Sequence, residues 1–129
     1  MILAEEQVER GDATAEAVLL VPVVFLTLLF GVQFAALLHA GSVATAAAAQ
    51  GAAAAAAHGS GLVDGERAAT LTAVELDATL SDKPVVSFDY RDVRVRVTIK
   101  VPEIVPGFPG RVTRTATEAR EMFAGEGER

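Results

Sequence analysis

The stretch AVLLVPVVFLTLLFGVQFAALL, residues 17–38, decides how this chain is organised. It carries no charged side chain, and as a helix it is roughly 33 Å long, about the thickness of a bilayer's hydrocarbon core. A buried helix of a soluble protein would need comparable apolar surface around it, which the rest of the chain is too short to supply. A cleaved secretory signal would begin with basic residues, whereas MILAEEQVER, residues 1–10, is acidic. The sequence therefore predicts one membrane-spanning helix.

Charge is distributed unevenly around this stretch. Residues 1–16 carry five acids and one base, residues 17–63 carry neither, and residues 64–129 carry twelve acids and ten bases. In a chain of 129 residues, one anchor leaves room for one small domain. A net charge of -6, with one Tyr and no Trp, is unsuited to nucleic-acid binding, which needs basic patches and stacking aromatics. The absence of cysteine excludes disulfides and thiolate metal sites.

Two residue types depart from the uniform apolar character of the stretch. Pro22 removes one backbone hydrogen bond, so we expect it to kink the helix. Gln33 is the only amide in the span, and its burial in lipid is unfavourable unless it finds a hydrogen-bonding partner. We therefore expect Gln33, together with Gly31, to contact another helix.

The helix is expected to continue beyond the membrane. Residues 39–59, HAGSVATAAAAQGAAAAAAHG, are rich in Ala, the strongest helix former, so one rod is predicted from about residue 14 to residue 57. Its outer half would expose small side chains on every face and allow other helices to approach closely. The alternative is a solvated low-complexity linker. The glycines at 59 and 61 are expected to end the rod.

The C-terminal half has the pattern of a small α+β domain. The predicted elements are an amphipathic helix over residues 66–80 and strands over residues 85–90, 93–101 and 111–120. The helix would bury the stripe Ala69, Ala73, Leu76 and Leu80, and Arg91-Asp92 would join the first two strands as a hairpin. Residues 102–110, with three prolines, form the second connection. A three-stranded antiparallel sheet of this size is marginal alone, so we expect the rod or a partner chain to complete its core.

The basic residues of the second strand lie on its polar face. Arg94, Arg96 and Lys100 alternate with Val93 to Val101, which indicates a solvated face paired with Asp89, Asp92 or Glu118. The alternative is a contact surface for a partner.

No catalytic arrangement is present in the sequence. Gly59-Ser60-Gly61 lacks the spacing of a nucleophile elbow, and His39 and His58 are nineteen residues apart without neighbouring carboxylates. We therefore expect no enzyme activity, cofactor, metal or small-molecule substrate.

The segment that enters the membrane resembles that of a known family. Gly11-Asp12-Ala13-Thr14-Ala15-Glu16-Ala17, followed by Pro22, is similar to the entry segment of TadE-like pseudopilins, the minor pilin-like proteins of tight-adherence pilus systems. Residues 30–34, the Ala-rich continuation and the closing hairpin with a Thr-rich strand are also similar to that family. The leader differs, since the family's is usually basic and this one is acidic.

The resemblance implies a processing step and a domain plan. An aspartyl prepilin peptidase would cut after Gly11 on the cytoplasmic side, Asp12 would become the new N-terminus, and Glu16 would pair with an amine during assembly. Residues 1–11 would be a leader, 12–60 the membrane helix with its extension, 61–124 an extracytoplasmic pilin-like domain, and 125–129 a disordered tail. Pilin-like subunits and assembly proteins would be its partners in the inner membrane. The rival hypothesis is an uncleaved membrane anchor or scaffold whose outer domain binds an envelope partner.

Overall fold

One long helix runs through both halves of the chain. The computed structural model describes the backbone of residues 2–57 and 59–121, and the side chains from residue 10 onward within these ranges. Helix α1, Ile2–Ala56, is 55 residues long and continues through Pro22 without interruption. It begins before the predicted residue 14, because Gly11 is flanked by good helix formers that tolerate one glycine. His58 and the predicted tail lie outside the described residues.

Helix α2, Leu62–Glu75, lies four to five residues closer to the N-terminus than the predicted 66–80. The Gly61 N–H donates to the Asp64 carboxylate at its start, over 2.9 Å. At its end Asp77 adopts a left-handed conformation with φ 55°, and the Ala78 N–H reaches back to the Ala73 carbonyl over 2.9 Å. This is a Schellman cap, which normally uses glycine, so the sequence pattern did not indicate it.

The three predicted strands form one antiparallel sheet. They are β1 (Val85–Phe88), β2 (Asp92–Lys100) and β3 (Arg111–Ala119), in the order β1-β2-β3. The β1–β2 hairpin is confirmed, with Phe88 opposite Val93, and the β2–β3 register places Val95 opposite Ala116. The predicted alternation of β2 is also confirmed, since Val93, Val95, Val97 and Ile99 are buried.

The hydrophobic core lies between this sheet and the two helices. The outer half of α1 contributes a buried stripe at helical spacing: Ala40, Val43, Ala44, Ala47, Ala48, Ala52, Ala55 and Ala56. Ala69 and Ala73 of α2 complete the helical side. The rod therefore completes the core, as expected. The prediction that its small side chains are exposed on every face was wrong, because one face is covered by the chain's own domain.

Two glycines allow α1 and α2 to approach closely. A β-carbon at Gly65 would lie 2.8 Å from the β-carbon of Ala55 and 3.1 Å from the carbonyl oxygen of Gly51. A β-carbon at Gly51 would lie 3.0 Å from that of Ala69. The two backbones therefore meet where neither residue has a side chain.

The two faces of the sheet differ from the prediction at one residue. Residues directly opposite each other in an antiparallel pair share a face. Glu118 is opposite Val93, on the face towards α1, so it does not lie beside Arg94 and Arg96 as an ion-pair partner. Arg114, opposite Val97, also lies on the inner face. Charged residues pointing inward on an edge strand discourage pairing with other chains.

Candidate membrane anchor and its junction with the domain

The first half of α1 is exposed wherever its side chains are described. Every residue from 10 to 28 is exposed, and from residue 17 onward most of these side chains are large and apolar. Among the described residues, one helix, the part of α1 from Arg10 to Ala56, is long and apolar enough to cross a membrane. An apolar surface of this size is unfavourable in water, so it indicates a membrane or another apolar partner.

The predicted processing residues lie at the start of this free segment. Gly11, Asp12 and Glu16 are all exposed within α1, and nothing lies within 4 Å of a β-carbon placed on Gly11. Asp12 and Glu16 are four residues apart and so share one face of the helix. The segment is therefore accessible, and its residues have no role in packing the domain.

Gln33 marks the point where the helix meets the domain. Its side chain is fully buried. The Nε2 atom donates to the Pro102 carbonyl over 3.1 Å, and Oε1 accepts from the backbone N–H groups of Ile104 and Val105 over 2.7 and 3.1 Å. The predicted helix contact for Gln33 is thus replaced by a loop of its own chain. Gly31 has open space around it, so its contact with another helix stays a prediction.

The loop bound by Gln33 connects β2 to β3 and spans residues 101–110. It is closed at its base by the Val101 N–H, which donates to the Gly110 carbonyl over 2.9 Å. Phe108 packs against Phe30 of α1 with ring centroids 5.8 Å apart. Ile104 remains 41% exposed. The loop therefore lies against the membrane half of α1 and leaves apolar surface free.

Basic residues lie directly above this loop. Lys100 and Arg111 are opposite each other at the end of the β2–β3 ladder. Arg114 lies over α1, with Nη2 3.3 Å from where a β-carbon on Gly41 would be. Two like charges facing each other across strands are destabilising unless an anion lies near them.

Sequence reasoning missed this junction because its parts are some seventy positions apart, for example the pair Gln33 and Ile104. The signals that could have indicated it were an amide inside an apolar helix and an apolar loop with three prolines. His39 is exposed, and the part of the chain that the structure describes contains no cluster of three His, Asp or Glu residues suited to a metal.

One family model matches the N-terminal part of the chain. Residues 11–53 match the family model described as TadE-like protein. The match begins at the glycine of the entry segment and extends through the membrane helix into the Ala-rich stripe. No curated protein and no solved structure matches the chain.

Proposed function

We propose that this chain, whose residues 11–53 match the TadE-like family model, is a TadE-like protein and a membrane-anchored component of a tight-adherence pilus apparatus, either a minor pseudopilin or an assembly factor. The observation that carries the proposal is the position of the family match, which starts at Gly11 and covers the free apolar helix. The family's role in pilus assembly is structural, so the chain acts through contacts and not through catalysis.

The proposal also includes cleavage of the chain after Gly11. Gly11 is exposed, and it lies in a helix that glycine weakens by about 1 kcal/mol relative to Ala, so the site is accessible to a prepilin peptidase. Cleavage would leave the amine of Asp12 one helical turn from Glu16. A carboxylate at the edge of hydrocarbon is costly, and this amine, or that of a neighbouring subunit, offsets the cost. Glu16 is then the assembly contact.

The proposed topology follows from the same step. The N-terminus faces the cytoplasm, where the peptidase acts, α1 crosses the inner membrane once, and the α+β domain lies outside. Its partners are the peptidase, other pilin-like subunits and the assembly proteins. The leader would end at residue 11, and the outer domain would begin near residue 61.

An uncleaved scaffold is the second candidate, and one observation favours it. Helix α1 continues from Ile2 through Gly11 without interruption, so the leader and the anchor form one element in the unprocessed chain. The outer domain would then bind an envelope partner while the leader remains attached.

Intact mass of the membrane-extracted protein tests the proposal. In cells with an active prepilin peptidase we expect loss of residues 1–11, and a full-length chain would rule out the processed form. Gly11→Leu should accumulate unprocessed protein and abolish pili. Gly31→Leu is the matched control for the intact mass and should be processed normally, since both glycines have open space around them and only Gly11 adjoins the cut. Pilus formation is not the readout for this control, because Gly31 is a predicted helix contact.

A further inference from the structure

The β2–β3 loop contacts α1 within the part of the helix that we expect to lie in the bilayer. A hydrocarbon core about 30 Å thick takes about 20 helical residues, so a span that begins after Glu16 extends to about residue 36. The loop contacts α1 at Phe30 and Gln33, which are below that boundary. A span that began after Glu16 and ended before Phe30 would be only about 20 Å long. A span of full length that ended before Phe30 would draw Glu16 and Asp12 into lipid, at a high cost in free energy.

Prolines and hydrogen bonds to Gln33 reduce the number of N–H groups in the loop that need water. In lipid every exposed N–H group needs a partner within the protein. Pro102, Pro106 and Pro109 have no N–H group to satisfy. Gln33 accepts from two others, those of Ile104 and Val105.

The side chains of the loop and of the strand ends above it are arranged by polarity. Ile104 and Phe108 are apolar, and Glu103 is the only charged residue between Pro102 and Gly110. Immediately above them, Lys100 and Arg111 face each other, and Arg111 and Arg114 line a groove of about 550 Å³ against Leu37 and Leu38. The apolar side chains of the loop thus lie below the basic side chains of the strand ends. This is the order of acyl chains and phosphates in a membrane.

We propose that the loop of residues 101–110 is a second membrane contact, which inserts into the outer boundary of the bilayer beside α1. Lys100, Arg111 and Arg114 lie at the level of the lipid phosphates, and the phosphates relieve the repulsion between Lys100 and Arg111. The loop and α1 together fix the height and orientation of the domain on the membrane. This inference depends on α1 spanning the bilayer. It does not depend on any role of the chain in pilus assembly.

Tryptophan scanning of the full chain tests the proposal directly, because the natural sequence has no Trp. The three single variants are Ile104→Trp in the loop, Leu26→Trp in the span, and Tyr90→Trp in the β1–β2 turn, where Tyr90 is 76% exposed. Each is reconstituted into phosphatidylglycerol-containing vesicles made with acyl-brominated or unbrominated lipid. We expect Ile104→Trp and Leu26→Trp to lose about half of their emission to bromine, and Tyr90→Trp to lose almost none.

The controls separate the loop from the span. If Leu26→Trp is quenched by brominated lipid while Ile104→Trp is quenched only by aqueous iodide, the loop lies in water and the proposal is overturned. If neither quencher reaches Ile104→Trp, a neighbouring protein covers the loop, which also overturns it. If Leu26→Trp is not quenched by brominated lipid, α1 does not span the bilayer and the inference fails with its premise. Brominated phosphatidylcholine without anionic lipid should reduce the quenching of Ile104→Trp, because the phosphatidylglycerol charge that attracts the basic residues is removed.

Discussion

Gln33 joins the anchor to the domain through three hydrogen bonds, all to the backbone of residues 102–105. An amide is the side chain that suits this position, since it both donates and accepts and carries no charge into an apolar region. The amide in the span and the prolines of the loop thus belong to one contact.

Replacing Gln33 with Met is expected to loosen this junction. Met has a similar length but makes no strong hydrogen bond, so two N–H groups and one carbonyl of the loop lose their partner. Each buried group left without a partner costs about 1–3 kcal/mol, less where water or lipid headgroups reach it. Amide hydrogen exchange in peptides covering residues 101–110 should become faster in Gln33→Met.

Ser42→Ala is the control for that variant. The Ser42 hydroxyl donates only to the Leu38 carbonyl within the same helix, over 3.0 Å, and it is exposed. Exchange in the loop should be unchanged in Ser42→Ala. Equal protection of the loop in Gln33→Met and in the natural chain would show that the amide does not hold it.

At the scale of elements, the α1–α2 contact depends on backbone approach more than on large side chains. Gly51 and Gly65 lie at the crossing, surrounded by Ala55 and Ala69. Small residues let helices approach closely, and the core gains contact area from backbone atoms that a larger residue would separate. The Ala-rich composition of the outer rod is therefore a packing surface for α2 and the sheet.

Gly65→Ala should destabilise this crossing although Ala favours helices. The new methyl group would lie 2.8 Å from the Ala55 β-carbon, which is too close for two carbon atoms, so α1 and α2 would have to move apart. Overpacking of this kind costs about 1–3 kcal/mol, which exceeds the helix-propensity gain of about 1 kcal/mol over most of that range. Thermal unfolding in detergent should show a lower Tm.

Gly31→Ala provides the matching control in α1. Its β-carbon meets nothing within 4 Å, so the unfolding of the domain should keep its Tm or gain slightly. A lower Tm for Gly31→Ala than for Gly65→Ala would contradict this view of the packing. Loss of self-association in Gly31→Ala, with the Tm unchanged, would support the predicted helix contact at Gly31.

In the whole molecule, α1 lies in two environments: its first half is exposed and its second half packs into the domain. Residues 10–28 of α1 are exposed, whereas residues 40–56 form one wall of the domain's core. Residues 40–56 of α1 therefore belong to the core of the domain, although the proposed division at residue 61 assigns them to the rod.

Fragments of the chain test this assignment. A fragment of residues 33–121 keeps the buried stripe of α1 and should fold, with dispersed amide signals in NMR. A fragment of residues 61–121 lacks that wall and should remain unfolded or aggregate, because its valines would be exposed on one sheet face. Cooperative unfolding of the 61–121 fragment would show that the domain folds without residues 40–56 of α1.

Much of the fold was predictable because it depends on local periodicity. The alternation of Val93, Val95 and Val97 indicated a half-buried strand, and the uncharged run after Glu16 indicated the anchor. The end of α2 was not predictable, because Asp77 occupies a left-handed position that glycine usually takes. The entry segment from Gly11 to Glu16 was recognisable because its residues are close together in the sequence.

Four features could be read from the sequence alone: the membrane-spanning helix, the α+β domain, the order of the strands along the chain and the resemblance to the TadE-like family. Each of these depends on the spacing of neighbouring residues, which a sequence shows directly. Three contacts became visible only once the chain was folded: Gln33 binds the loop, Gly65 meets Gly51, and Arg111 and Arg114 line a groove beside Leu37 and Leu38. These contacts depend on how distant segments pack around a shared core, and no local period encodes that arrangement.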